Sequence, residues 1–242
     1  MRLSVGCSGW SYNAWQGHFY PKGLESKNYL EYYSKVFDYV EIESSFYRIP
    51  NTLTTTRWAE ITPDNFRFTA KFPKRITHIK RLDQVESDME YLHKQMTPLA
   101  NKLGCFLIQL PPSMTMKEGL KKLQKLPFDK KFRYAIEARH MSWFDDEVYS
   151  FLRKNDICLA WSELEDIQTP TVVTTDFIYL RLMGDRSIPE EEFGTIQKKI
   201  KNGFVPTSNH YAGFAAATAN MFRKLVGLKP AIWEEMKQST LD

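Results

Sequence analysis

The chain has 242 residues, 43% hydrophobic and 26% charged, with a formal net charge of +4. That balance gives enough apolar surface for one domain spanning 1–242 and excludes a disordered or low-complexity chain. The charge is too small to mark a nucleic-acid binder by itself.

Cys7, Cys105 and Cys158 are odd in number and widely spaced, each among strand-like apolar residues. They read as buried free thiols in a reducing compartment. No apolar run approaches the roughly 18 residues of a membrane span. The strand pattern begins at Leu3, which leaves no room for a signal peptide, so a cytoplasmic protein without membrane contact is expected.

In chain order, β-rich runs fall at 3–8, 39–43, 66–71, 105–110, 133–139, 157–161 and 177–183, with a weaker one at 203–208 that contains Pro206. Helical spacing fills the intervals 24–37, 53–60, 85–103, 117–126, 145–154 and 190–201, and an Ala-rich stretch follows at 211–226. Strand then helix, repeated, predicts parallel βαβ units. Seven clear strands and a weak eighth predict an α/β fold, a single closed (β/α)8 TIM-type barrel with its first and last strands paired. An open doubly wound sheet would carry a glycine-rich phosphate loop, and Gly6-Cys7-Ser8-Gly9-Trp10 lacks that spacing. The stretch 159–175, with Pro170, is the expected irregular excursion.

Residues two apart on a strand share a face. Glu41 pairs in this way with Glu43, Thr69 with Lys71, Glu137 with Arg139 and Tyr179 with Arg181, each set opposing apolar neighbours. The helix-facing side of a barrel is apolar, so the charged set is expected inside, at the C-terminal strand ends where barrel enzymes place their chemistry. Three acids and three bases could also form a structural ion network. Such networks are costly to desolvate and are weak evidence for stability alone.

Aromatic and polar residues follow these strands: Trp10, Tyr12 and Trp15 after the first, Phe46 and Tyr47 after the second, His78 after the third. His140 and Trp143 follow the fifth, and Trp161 ends the sixth. Flat rings around charges suit a sugar or a nucleobase, although loop packing is the commoner role of each ring, Trp10 and Phe46 above all. His78, His140 and His210 could converge on a metal, but no HExxH or similar pairing occurs, so no metal is assigned. No GxSxG elbow is present, and no motif names a cofactor.

The motifs Gly6-Cys7-Ser8-Gly9-Trp10-Ser11-Tyr12, Val40-Glu41-Ile42-Glu43-Ser44-Ser45-Phe46-Tyr47 and Lys71-Phe72-Pro73 resemble the YecE-like family, a domain-of-unknown-function family. So do Ile76-Thr77-His78, Gln109-Leu110-Pro111-Pro112, Glu137-Ala138-Arg139-His140, Ser142-Trp143-Phe144 and Asn209-His210-Tyr211-Ala212-Gly213. The resemblance covers nearly the whole chain. It implies a TIM-type barrel with a polar cleft at the C-terminal strand ends, lined by Glu43, Lys71, His78, Gln109, Glu137, Arg139, His140, Trp143, Arg181 and Asn209. Two positions depart from it: the family typically has Asn where this chain has Glu43, and His where it has Met183.

The expected activity is acid/base chemistry, of the hydrolase, lyase or isomerase kind, on a small polar substrate that is sugar- or nucleotide-like and anionic. Glu137, Glu43 and Lys71 form the expected catalytic set. Arg139 tunes the carboxylates, Arg181 holds an anionic group, and Glu43, beside Glu41, is the expected proton donor. Trp10, Tyr12, Tyr47, His78, Gln109, His140, Trp143, Trp161 and Asn209 complete the expected substrate contacts. A different class is a nucleic-acid-binding or repair-type barrel using Lys121-Lys122, Lys130-Lys131 and Lys198-Lys199, whose ordinary reading is solvated surface. A binding barrel without turnover is the third. The sequence sets no oligomeric state.

Overall fold

The structure is a computed structural model that describes residues 2–164, 167–182, 202–208 and 214–233. Its strands are β1 (Arg2–Ser8), β2 (Tyr39–Ile42), β3 (Arg67–Lys71), β4 (Leu103–Gln109), β5 (Tyr134–Glu137), β6 (Ile157–Leu159), β7 (Trp161–Leu164), β8 (Ile167–Gln168), β9 (Phe177–Leu182) and β10 (Asn202–Thr207). The helices described are α1 (Tyr29–Val36), α2 (Thr52–Ile61), α3 (Glu86–Met96), α4 (Met116–Leu123), α5 (Asp146–Lys154) and α6 (Ala215–Leu225).

All strands join one sheet in the order β6-β5-β4-β3-β2-β1-β10-β9-β7-β8. Its two ends belong to one stretch of chain, because β6 and β7 are separated only by Ala160. β6 pairs with β5, Ala160 extends that ladder by donating to the Ile136 carbonyl at 2.8 Å, and β7 then pairs with β9. Nine parallel strands thus make eight staves of an α/β barrel, with β8 folded back antiparallel on β7.

The first and last strands pair as expected, from Arg2 with Asn202 to Cys7 with Thr207. Pro206 sits inside β10 opposite Gly6. Lacking an N–H, it cannot donate to either neighbouring strand, and the β10–β9 register passes from Phe204–Tyr179 to Thr207–Leu182. Within the expected irregular excursion the structure forms the short β7–β8 hairpin.

Helix starts follow local chemistry. Asn51 caps α2 by accepting from the Thr54 N–H at 2.8 Å, and Asp145 caps α5 by accepting from Glu147 N–H at 2.8 Å. Asp146 and Glu147 open α5, and Arg153 and Lys154 close it, matching the helix dipole. α3 ends at Met96 and passes into a 3-10 turn, Thr97–Leu99, where Pro98 cannot continue α-helical bonding. The expected helix at 190–201, with Lys198 and Lys199, lies outside the described residues, as do Met183, Asn209, His210 and Tyr211.

Two cores result from strand alternation. Val40, Ile42, Phe68, Ala70, Phe106, Ile108, Ile136, Leu159, Trp161, Ile178 and Leu180 join the core between staves and helices. Tyr39, Cys105, Leu107, Ala135, Cys158, Ala160, Phe177, Tyr179 and Phe204 fill the barrel interior. Gly104 makes room for that filling. A Cβ there would stand 2.3 Å from the Phe204 ring, so a larger residue would push the ring out of place.

Candidate functional site

The lower barrel is apolar, and the polar groups begin halfway up. Tyr39 hydroxyl meets Thr69 Oγ1 at 2.9 Å, and Thr69 Oγ1 meets Tyr179 hydroxyl at 2.9 Å. The Tyr179 hydroxyl then donates to Glu41 Oε2. Above this ladder stand the charges.

Arg181, on β9, is the hub. Its Nη1 donates to Glu137 Oε2 at 2.7 Å, and its Nη2 donates to Glu41 Oε1 at 2.9 Å and lies 3.5 Å from Glu43 Oε2. Glu137 also accepts from Arg139 Nε at 2.8 Å and from Gln109 Nε2 at 3.0 Å. Lys71 donates to Glu43 Oε1 at 2.9 Å and lies 4.5 Å from the centre of the Phe46 ring. Ser8, the last residue of β1, brings its Oγ to 2.5 Å from Glu41 Oε1 and 2.7 Å from Glu43 Oε2. Glu41, Glu43, Lys71, Glu137, Arg139 and Arg181 therefore form one connected network, as parity predicts.

Depth separates their roles. Glu41 and Glu137 are wholly buried and Arg181 nearly so, whereas the side chains of Glu43 and Arg139 are 30% and 23% exposed. Glu43 and Arg139 therefore form the solvent-reaching rim of the cluster. Both lie just past their strands: β2 ends at Ile42, with Glu43 already in a helical turn, and β5 ends at Glu137.

The electrostatics differ between the two neighbouring acids. Burial raises Glu41 above the usual carboxylate range, against the pull of Arg181. Burial also opposes ionisation of Glu43, but Lys71 and Arg181 outweigh it and hold Glu43 at about 2. Expecting Glu43 to be the member that keeps a proton is thus corrected. Of the two, Glu41 is the one pushed upward, because Lys71 reaches Glu43 directly and water reaches only Glu43. Glu137 is likewise held at about 2, since Arg181 and Arg139 overcome its burial. With three donors on its two oxygens, Glu137 fixes the two arginines in place.

His78 lies on a single π-helical turn, Arg75–Ile79, after β3. Its Nδ1 meets Thr77 Oγ1 at 2.8 Å, and its ring meets Phe46 edge-on at 5.1 Å between centroids. Burial and then the Lys71 charge lower its pKa, so the ring is neutral at pH 7. The following loop holds Arg81, Leu82 and Gln84 at φ between 49° and 61°, a costly conformation for these residue types. Arg81 fastens it to α4 through two bonds to Glu118, at 2.7 and 2.6 Å.

The expected aromatic ring around the charges is only partly present. Tyr12 is half-buried; its hydroxyl donates to the Ser8 carbonyl at 2.6 Å, and burial followed by the Glu43 charge pushes it up to about 12. Tyr47 is 79% exposed beside Phe46. Trp10, Trp143 and Trp161 instead pack into the core outside the barrel. Trp10 meets Trp58 edge-on, Trp143 donates to the Met114 carbonyl at 2.8 Å, and Trp161 donates to the Val172 carbonyl at 3.2 Å. Trp143 also presses on Gly119, where a Cβ would lie 2.5 Å from its ring. These three indoles are correctly placed for packing and are corrected as substrate contacts.

His140 caps the 3-10 turn Met141–Trp143 by accepting from the Ser142 N–H at 3.1 Å, a structural use of the ring. Among the described residues no three His, Cys, Asp or Glu side chains gather as metal ligands would. All three cysteines are buried and free. Ser8, Tyr39 and the upward shift of Glu41, where Glu43 was expected to carry it, are what sequence reasoning missed. Ser8 had a signal, since Leu3, Val5 and Cys7 face the outer core and leave Ser8 on the inner parity.

Comparison with known proteins agrees with this architecture. The family model described as "Protein of unknown function DUF72" matches residues 4–240. The UPF0759 protein YecE of Escherichia coli K12 is 32% identical over 145 residues, 59% of this chain and 50% of that protein. The UPF0759 protein YunF of Bacillus subtilis is 29% identical over 155 residues, 61% of this chain and 54% of that protein. The chain spans about half the length of the curated relatives it matches. A DUF72 family crystal structure from Thermotoga maritima superposes with TM-score 0.76 at 28% identity, over 94% of this chain and 100% of that one. One from Enterococcus faecalis gives 0.75 at 20% identity, over 94% and 98%, a likeness of fold. With the family model spanning almost the full length and the barrel shared, the chain belongs to the DUF72 family of proteins of unknown function.

Proposed function

We propose that the C-terminal mouth of the barrel binds a small, polar, anionic molecule and performs acid–base chemistry on it, with Glu43 handling the proton. The observation that carries this reading is the state of Arg139. Its Nε is held on buried Glu137 at 2.8 Å, yet among the described residues its two terminal nitrogens donate to no protein atom. A guanidinium fixed by one nitrogen and open at the other two is a ready fork for a carboxylate or phosphate group.

Lys71, nearly buried, adds a second cation just behind the rim, bonded to the more exposed Glu43. Neutral His78, half-exposed Tyr12 and exposed Tyr47 supply a polar and aromatic border suited to a sugar or a base. A metal is not required by this reading, and no helix among the described residues is long and apolar enough to cross a membrane.

The test compares anions with neutral analogues. Inorganic phosphate, sugar phosphates and small hydroxycarboxylates should raise the Tm of the wild-type protein, and the matching neutral sugars should not. Arg139→Gln should abolish the effect while the protein stays folded. Solvent deuterium incorporated into a bound compound, followed by NMR, reads the chemistry and should vanish in Glu43→Gln. If no anion stabilises the wild type, or neutral sugars do so equally, the reading fails.

A further inference from the structure

We propose that Glu41, Ser8 and Glu43 form a proton relay that stores one proton on Glu41 and delivers it through the Ser8 hydroxyl to Glu43 at the mouth. Ser8 Oγ stands 2.5 Å from Glu41 Oε1 and 2.7 Å from Glu43 Oε2. A hydroxyl carries one hydrogen and can donate to one carboxylate at a time. The second short contact fits a bond in which the other carboxyl group is the donor, because an oxygen lone pair facing a carboxylate at that distance is repulsive. The three groups hold one proton more than two carboxylates and a serine would.

The surroundings assign the resting position of that proton. Glu41 lies wholly inside the barrel, where charge is poorly solvated; Glu43 reaches solvent and has Lys71 at 2.9 Å. The upward pKa shift of Glu41 and the downward shift of Glu43 to about 2 both agree with that position. Among the described residues the groups that act on Glu41 are Arg181 and Tyr179 from β9, Glu43 and Tyr39 on its own stretch, Lys71 from β3, Cys105 from β4, Tyr12 after β1 and the Ser8 hydroxyl from β1.

The transfer balances. The Ser8 O–H bond breaks as its hydrogen moves to Glu43 Oε2, and the Glu41 O–H bond breaks as its hydrogen moves to Ser8 Oγ, restoring the hydroxyl. Neutral Glu41 and ionised Glu43 become ionised Glu41 and neutral Glu43. The new Glu41 charge is met by Arg181 Nη2 at 2.9 Å and by the Tyr179 hydroxyl, itself bonded to Thr69. Glu43 then passes the proton to a basic atom of the ligand, and the reverse path reloads Glu41 from solvent. Ser8 and Glu41 act through Glu43 and are positioning residues. In the resting state the cluster holds three cations (Lys71, Arg139, Arg181) and two anions (Glu43, Glu137), an excess of one positive charge. That excess favours an anionic ligand over a neutral one.

The hand-off to a ligand rests on the proposed function; the stored proton does not, so the experiment reads the proton in the ligand-free protein. Infrared spectra at neutral pH should contain the carbonyl band of a protonated carboxylic acid. That band should vanish in Glu41→Gln, persist in Glu137→Asp, and shift in Ser8→Ala, which removes its hydrogen-bond partner. Should Glu41→Gln fail to fold, Glu43→Gln makes the assignment: the band persists if Glu41 holds the proton and vanishes if Glu43 does, which overturns the relay. A wild-type spectrum without the band, or a band unmoved by Ser8→Ala, overturns the relay. Loss of anion binding with the band intact would instead count only against the proposed function.

Discussion

Arg181 Nη1 donates to Glu137 Oε2 at 2.7 Å, while Nη2 of the same guanidinium donates to Glu41 Oε1 at 2.9 Å, so one side chain ties β5 and β2 together through the barrel interior. Removing the carboxylate of Glu137 takes the opposing charge from Arg139 Nε and from Nη1 of nearly buried Arg181, which keeps Glu41 and Glu43 at Nη2. Glu137→Gln should therefore cost about 3–5 kcal/mol. For a chain of this size that is a fall in Tm of roughly 6–20 °C. Arg139→Gln, at the partly exposed rim, should cost no more than about 1 kcal/mol. Calorimetric scans of the two variants check the contrast, and equal losses would mean that depth does not separate scaffold from rim.

The buried acids respond to pH with opposite signs. Glu137 is held at about 2, below its unfolded value, so its stabilisation is present above the ordinary carboxylate range and lost as pH falls towards 2. It is worth about 3 kcal/mol at neutral pH. Glu41 is raised, so its contribution is full below the ordinary carboxylate range and lost as pH rises through its folded pKa. Glu41→Gln keeps the neutral shape and should remove the loss of stability that sets in above the ordinary carboxylate range, while leaving acid unfolding in place. Urea midpoints measured from pH 3 to pH 9 read both limbs.

The three thiols should be silent. Burial pushes Cys7 and Cys158 up to about 12 and Cys105 well above its ordinary value, so none supplies a thiolate at neutral pH. A colorimetric thiol reagent should label none in the native protein and all three after denaturation. Fast labelling of the folded chain would contradict the burial of the barrel interior.

Gly104→Ala should destabilise by about 1–3 kcal/mol, because its methyl would meet the Phe204 ring at 2.3 Å. Phe204→Leu in the same chain should recover part of that loss by making room. A double-mutant cycle in urea measures the coupling, which should be at least about 0.5 kcal/mol.

Nucleic acid should bind weakly, with most of the affinity lost between low and moderate salt. Among the described residues, Lys121 on α4 is exposed and Lys122 is already paired with Glu118 at 3.6 Å. Fluorescence anisotropy at two salt concentrations checks this, and tight binding that survives moderate salt would favour the repair-type barrel.

Much of the fold was legible because strand alternation is a local property. The parity of Val40, Ile42, Phe68, Ile136, Ile178 and Leu180 announced the outer face, and with it the inward set from Glu41 to Arg181. Even the poorly marked last strand, with Pro206, could be placed, since a barrel needs an eighth stave. What the sequence could not decide was how the inward residues divide among themselves. Glu41 and Glu43 are the same residue type two positions apart, and nothing local tells which is pushed upward. That follows from depth, from Lys71 arriving on β3 and from Ser8 arriving on β1, which are relations across strands. The indoles show the same limit: Trp10, Trp143 and Trp161 have the right composition and loop positions for a ligand ring, but only packing against Trp58, Gly119 and Val172 put them outside it. Side-chain period is encoded residue by residue, whereas desolvation and charge pairing depend on which strands the barrel brings together.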